Sequence, residues 1–393
     1  MQKTQDNLIK FNQILLIILL FVPLLTSNTF MYPYVYFKAI TFRVIVSILG
    51  LSTIFLLFKN RLPKIEGSKH IWFFVIFLTS LPILSFVGIN PIESWWGGFE
   101  RMEGGFYYLY LAVAFLAYIL YFSYKDIWQK VFWAVLSSNF LLSIIAILQK
   151  FDLSPVEYQG RIGGTLGNAA YLASTLLLSS VLLIFFFEKY KKYRWYSAAV
   201  IVLNFIAIFI SATRGALLAL FVSGFLAGVF ILLKKDLLQK KIRIGLASVL
   251  ALLVLAVGGI FVFSDSPLVQ NTETLRRISE ISIQETTAAS RIKVWEYSYQ
   301  GFLDKPILGW GLENFDVMFN KYYDGSIGEE WFDRAHNNYI DILISGGIVA
   351  LLLYLAFIFF VYKKIFSLYK QEKISYFSFT IFVFGFLAYL IQN

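Results

Sequence analysis

Apolar runs of about 18 to 22 residues recur along nearly the whole chain, and a bilayer core of about 30 Å takes about 20 helical residues to cross. A chain built this way reads as a polytopic membrane protein, and the runs rule out a soluble globule. Composition agrees. Of 393 residues, 59% are hydrophobic and only 15% charged, where soluble domains carry roughly a quarter. Cysteine is absent, so disulfides, thiolate metal sites and a cysteine nucleophile play no part in the chemistry. The first apolar stretch, Leu8 to Leu25, has no small-residue cleavage site and runs into Thr26-Ser27-Asn28. It reads as an uncleaved first span.

The runs predict an all-α fold of eleven spans, near 8–26, 36–58, 71–88, 105–123, 131–149, 166–187, 195–211, 215–233, 244–263, 340–362 and 374–391. The breaks between them alternate in character. One set is short and basic: Lys59, Arg61, Lys64 and Lys69, then Lys125 and Lys130, the group from Lys189 to Arg194, the group from Lys234 to Arg243, and Lys363, Lys364, Lys370 and Lys373. With Lys3 and Lys10 this set holds 21 of the 34 positive charges. The positive-inside rule assigns it, and the N-terminus, to the cytoplasm. The formal charge of +10 is then mostly a record of insertion direction rather than a sign of a nucleic-acid partner.

The other set of breaks faces outward. It includes 89–104, 150–165, 212–214 and a long stretch, 264–339, and it is acidic, with 18 carboxylates (Asp341 included) against 11 Lys+Arg. Seven of those eleven are arginines: Arg101, Arg161, Arg214, Arg276, Arg277, Arg291 and Arg334. Topology does not explain them, and a guanidinium binds phosphate oxygens in a bidentate fork, so they suggest a phosphorylated ligand. Apolar residues recur at helical spacing at Leu275, Ile278 and Ile281, and again at Ile292, Trp295, Tyr299 and Phe302. A third amphipathic piece covers about Glu313 to Tyr323. The stretch 264–339 is therefore expected to form a small extracytoplasmic cap of short helices, between spans in 1–263 and spans in 340–393.

Two histidines exist, His70 and His336. His70 stands beside Lys69 at the start of the third span, as an interfacial side chain would. His336 lies in Arg334-Ala335-His336-Asn337-Asn338, just before an apolar helix. A helix N-terminus and a nearby arginine both disfavour the protonated ring, which keeps the imidazole able to act as a general base; a structural role is the alternative. Arg214 sits in a very short outward turn, Ser211-Ala212-Thr213-Arg214-Gly215, at the level of lipid headgroups, as either a ligand contact or a snorkelling side chain. Arg161 opens the glycine-rich Gly160-Arg161-Ile162-Gly163-Gly164-Thr165-Leu166-Gly167-Asn168, whose backbone amides could cradle phosphate at a helix start. Arg43, within the second span, is a candidate lipid-phosphate contact. For a divalent ion, Asp316, Asp324, Glu329, Glu330 and Asp333 lack supporting spacing or a second histidine.

Several segments resemble the bacterial O-antigen ligase and polymerase superfamily: Gly164-Thr165-Leu166-Gly167-Asn168, Ser211-Ala212-Thr213-Arg214-Gly215-Ala216, Ser290-Arg291-Ile292, Pro306-Ile307-Leu308-Gly309-Trp310-Gly311, and Ala335-His336-Asn337-Asn338-Tyr339 leading into Gly346-Gly347. The resemblance runs from about residue 90 onward. It implies about twelve spans with a large outward loop before the last two, one span more than is visible. It implies glycan transfer from undecaprenyl diphosphate to an acceptor hydroxyl, on the outer face of the cytoplasmic membrane, with inversion and without a metal or other cofactor. Arg161 and Arg214 would hold the diphosphate and His336 would be the base. Arg291, Arg334, Arg101, Arg43, Asn337 and Asn338 complete the candidate substrate-binding set.

The chain departs from common members at Asn168-Ala169-Ala170, where Asn-Pro-Asn is usual. The segment Trp95-Trp96-Gly97-Gly98-Phe99-Glu100-Arg101 resembles a subgroup that often carries a helical-repeat extension, and the abrupt end at Gln392-Asn393 is expected to reflect truncation. Ligation onto a lipid core, repeat-unit polymerisation and protein O-glycosylation all fit these motifs, so the acceptor is a glycolipid, polysaccharide or protein. A lipid-linked sugar flippase is the competing class, but it calls for polar groups at mid-membrane, and apart from Arg43 the spans are nearly free of charge.

Overall fold

The computed structural model describes residues 2–63, 69–124, 127–157, 160–280 and 286–392. Lys64, Lys125 and Ile281 lie outside them, as do the side chains of Lys69 and His70. In chain order the α-helices are α1 (Gln2–Leu19), α2 (Tyr36–Phe58), α3 (Lys69–Ser85), α4 (Pro91–Trp96), α5 (Gly105–Phe122), α6 (Ile127–Lys150), α7 (Ala169–Lys189) and α8 (Arg194–Ile210). They continue with α9 (Arg214–Leu233), α10 (Lys240–Val262), α11 (Pro267–Asn271), α12 (Glu273–Ser279), α13 (Thr286–Asp304), α14 (Phe315–Tyr322), α15 (Asn338–Lys370) and α16 (Tyr376–Gln392). Each of the eleven predicted spans has a helix. Among the described residues eight helices are long and apolar enough to cross a membrane, and Ile71–Ser85 and Tyr376–Gln392 are shorter apolar helices. The chain is an all-α, multi-pass membrane protein.

Two spans differ from expectation. The 8–26 run is not one helix: α1 ends at Leu19 and a 3-10 turn, Val22–Leu24, follows, because Pro23 has no N–H to donate and disfavours helical backbone in the residue before it. The 340–362 run is broken at Gly347, whose φ of 64° and ψ of −165° are not helical. The groups freed by the break are taken by the 306–311 loop. Trp310 N donates to Ile344 O at 2.7 Å and Gly311 N to Ser345 O at 2.9 Å, closing the first stretch. Ile348 N donates to Pro306 O at 2.9 Å and Val349 N to Ile307 O at 3.5 Å, opening the second. The approach is backbone to backbone: a β-carbon at Gly347 would collide with the Ile307 carbonyl, and one at Gly309 with Ile344 O and the amides of Gly346 and Gly347.

The chain forms two compact units. The first is Met1–Val131 with Ile283–Lys364. Leu16, Val46, Leu49, Leu56 and Tyr121 form one core among α1, α2 and α5. Phe77, Leu81, Leu312, Ala350 and Tyr354 join α3 to α15. A third core, with Val294, Tyr297, Trp310, Phe315, Met318 and Phe319, holds the cap helices α13 and α14 together.

The second unit is Phe132–Ser282 with Ile365–Asn393. Polar side chains lock its spans: Asn204 Nδ2 donates to Asn139 Oδ1 at 3.2 Å and to Ser180 Oγ at 2.9 Å, while Ser143 Oγ donates to Asn204 Oδ1 at 2.8 Å. Buried polar groups with no water to bond must find each other in this way. The stretch 264–339 is thus shared, α11 and α12 belonging to the second unit and α13 and α14 to the first.

Candidate functional site

In the first unit the 89–104 segment, the 306–314 loop and α13 converge on the turn that carries His336. Asn337 starts α15 as an N-cap: its Oδ1 accepts from Tyr339 N at 3.0 Å and Ile340 N at 3.4 Å, satisfying amides that a helix start leaves open. His336 precedes it with φ 52°, a left-handed conformation uncommon for a residue with a side chain. Neighbours hold the turn there. Ala335 N donates to Asp341 Oδ1 at 2.8 Å and Ala335 O accepts from Trp295 Nε1 at 2.9 Å. The His336 ring lies edge-on to Phe332 at 5.7 Å and remains exposed. Asn338 is spent within the fold, its Nδ2 donating to Tyr354 Oη at 3.0 Å.

Both flanking arginines are matched by carboxylates. Arg101 forks onto Asp333, and Arg334, buried to 17% side-chain exposure, binds Glu313 and, at 3.3 Å, Glu103. Glu313 also accepts from Gly98 N at 3.1 Å. The 89–104 segment is fastened to this corner by Ser94 Oγ, which donates to Leu312 O at 2.8 Å and accepts from Asn314 Nδ2 at 2.6 Å.

The charges follow from the packing. Burial tends to strip the proton from Arg334, but Glu313 and Glu103 outweigh it and its pKa is raised, so the guanidinium stays charged. Burial pushes the Glu103 carboxyl up, with Arg334 opposing and Glu313 adding like-charge repulsion. At Asp333 burial acts upward, yet hydrogen bonds from Arg101 hold the carboxyl below its usual range. His336 is lowered from its ordinary 6.5, first by the crowding of the cap around it and then by the charge of Arg291. Arg291, on the first turns of α13, is exposed and faces the imidazole electrostatically. Arg43 stands on α2, its Nη2 donating to Met102 O at 2.9 Å, while its buried Nε has no hydrogen-bond partner in the described residues.

The second unit holds the remaining arginines. Arg214 is the first residue of α9, its Nη2 3.7 Å from Glu280 Oε2. The turn before it is braced by Arg277 Nε, donating to Ala212 O at 3.0 Å, and by Thr274 Oγ1, donating to Phe209 O at 2.7 Å. Arg161 is exposed at the start of the glycine-rich loop. That loop is a 3-10 turn, Gly164–Leu166, followed by Gly167 in the left-handed region and Asn168 capping α7. Its amides are partly committed: Gly164 N donates to Gln149 Oε1 at 2.8 Å, Leu166 N to Gly163 O at 3.0 Å and Ala170 N to Asn168 Oδ1 at 2.7 Å. An anion there would meet the remaining amides and Arg161.

Glu103, Glu313, Asp341 and Trp295 were not candidates from the sequence, and Asp333 was weighed only for a divalent ion, although segments with more acids than bases supply partners for any arginine that becomes buried. Among the described residues no group of three or more His, Asp or Glu is placed to hold a metal ion.

These features define a multi-pass membrane protein with a charged, histidine-bearing cap. Residues 199–355 match the family model for O-antigen ligase, a range that includes Arg214, Arg291, Arg334, His336, Asn337 and Asn338. The chain is 25% identical over 347 residues to the ComP-specific O-oligosaccharyltransferase of Acinetobacter baylyi, covering 82% of this chain and 59% of that protein. Over 117 residues it is 30% identical to a Rickettsia conorii protein carrying the name of a polysaccharide ligase, covering 27% of this chain and 28% of that one. An uncharacterised Haemophilus influenzae protein is 24% identical over 344 residues. Over residues 199–355, part of its length, the chain is thus similar to the O-antigen ligase family.

Proposed function

We propose that the chain is a glycosyltransferase that moves a glycan from an undecaprenyl-diphosphate-linked donor to an acceptor hydroxyl at the outer face of the cytoplasmic membrane, with its N-terminus in the cytoplasm. The observation that carries this reading is the state of His336: exposed, held in a left-handed turn at a helix start, and biased toward the neutral ring by the cap around it and by Arg291. An imidazole so placed accepts a proton near pH 7.

In the proposed step His336 takes the acceptor hydroxyl proton as the oxygen attacks the anomeric carbon. The bond from that carbon to the diphosphate oxygen breaks, and the electron pair leaves with the lipid diphosphate. A single displacement of this kind inverts the anomeric centre. By the resemblance of their sequence motifs, Arg161 and Arg214 are assigned to the leaving diphosphate, where guanidinium charge would stabilise the developing anion. Arg291 is assigned to the substrate side of the histidine. Arg101 and Arg334, already bound to carboxylates, support the turn, and any ligand contact they make is shared with those partners. Asn337 acts through the cap it forms.

The Acinetobacter relative, named for oligosaccharide transfer to ComP, aligns over most of this chain and favours a protein acceptor as a second reading beside a glycolipid or growing polysaccharide. The test is transfer by purified protein given an undecaprenyl diphosphate glycan and each acceptor class, with EDTA present. Transfer that persists in EDTA and disappears in His336→Ala is expected; strict metal dependence, or full activity of that variant, overturns the mechanism.

A further inference from the structure

Helix α13 is apolar on two opposite faces. Val294, Tyr297 and Gly301 turn into the cap core against Phe315 and Met318. Ile292, Trp295, Tyr299 and Leu303, spaced so that they share one side of a helix, turn the other way and are 37%, 37%, 63% and 58% exposed. Past the end of α13 the chain continues through Ile307 and Leu308, again exposed, where its backbone is bonded to Ile348 and Val349. From that point the exposed apolar residues go on as Ile348, Leu352, Leu355 and Phe359, one side of the membrane-spanning part of α15. The intervening charges are drawn back to the cap: Asp304 accepts from Lys321 and Tyr322, and Lys305 Nζ lies over the Trp310 ring at 5.4 Å.

We propose that α13 is an interfacial helix whose Ile292, Trp295, Tyr299 and Leu303 face is seated in the outer leaflet of the bilayer that α15 crosses, among bulk phospholipid. Continuity with the lipid-facing side of α15 identifies the occupant. The residue types fit, since tryptophan and tyrosine rings favour the boundary between acyl chains and headgroups. Glu296, beside the stripe, is paired with Lys293 at 2.7 Å on the helix's polar edge. Because Trp295 also holds Ala335, the depth of this face sets the depth of His336. The inference is independent of the transfer reading, since it is read by spectroscopy and not by turnover.

The absence of cysteine makes single labelling sites unambiguous. Tyr299→Cys and Leu303→Cys, with Gln300→Cys and Glu329→Cys as exposed polar controls, are labelled with an environment-sensitive fluorophore. Each full-length protein is placed in nanodiscs of phosphatidylethanolamine and phosphatidylglycerol. Spin-labelled phospholipid should quench positions 299 and 303 several-fold more than 300 and 329, with blue-shifted emission. Three results overturn the proposal: iodide quenching of 299 and 303 equal to that of 329, shielding that appears only when polyprenyl diphosphate donor is added, or ready disulfide formation between two unlabelled Tyr299→Cys chains, which would make a second copy the cover.

Discussion

Arg101 grips Asp333 through two bonds, Nε to Oδ2 at 2.6 Å and Nη2 to Oδ1 at 3.1 Å, tying the 89–104 segment to the turn that carries His336. A lysine keeps the charge but offers no fork. Arg101→Lys should therefore express and fold but reduce transfer by about tenfold, with a stability loss of only about 1 kcal/mol because the pair is partly solvated. Turnover assays beside thermal melts in detergent check this.

Arg334 is the more critical structural cation. Its removal leaves the buried Glu313 and the half-exposed Glu103 without their counter-charge, so Arg334→Met should destabilise by about 3 kcal/mol. The triple variant with Glu313→Gln and Glu103→Gln should recover much of that loss. Melting temperatures of the single and triple variants decide the point.

The pH profile follows from the direction of the His336 shift. Its pKa is lowered, so the neutral ring predominates further into acid than usual, and the acid limb of the transfer rate should have its midpoint below 6.5. Arg291→Gln removes a charge that disfavours protonation, so the midpoint should move up toward 6.5. A limb that stays in place would mean that the rate does not report on this histidine.

In the second unit, Arg214→Lys should lower transfer by two orders of magnitude or more at unchanged expression, if bidentate phosphate contact is what the position supplies. Wild-type turnover would refute that role.

Gly347→Ala should cost more than the roughly 1–3 kcal/mol of a side chain forced into this glycine-only backbone region, because the new methyl also meets the Ile307 carbonyl. Gly258→Ala, in α10 with open space around it, should be neutral or stabilising by up to about 1 kcal/mol. The fraction remaining monodisperse after heating compares the two.

The spans were legible because hydropathy over twenty residues is a property of the chain itself, and no tertiary partner is needed to read it. The break at Gly347 was not, since the sequence is apolar on both sides and the helix is interrupted by a loop about forty residues upstream. Its trace in the sequence is the pair of glycine motifs, Gly309-Trp310-Gly311 and Gly346-Gly347, each allowing the other's backbone to approach. The position of His336 at a helix start was readable from Asn337-Asn338 and the apolar run behind them. That Arg334 is held by Glu103 was not, because the partners lie 231 residues apart and nothing local distinguishes an arginine awaiting a phosphate from one already matched by carboxylates.

The division of α15 has a mechanical consequence. The nine residues from Asn338 to Gly346 form a rigid strut of about 13 Å, clamped at one end by the Asn337 cap and at the other by the 306–311 loop. The same loop also bonds Ile348 and Val349 beyond the break, so it splints the strut to the span below Gly347 and ties the height of the histidine to the seating of that span.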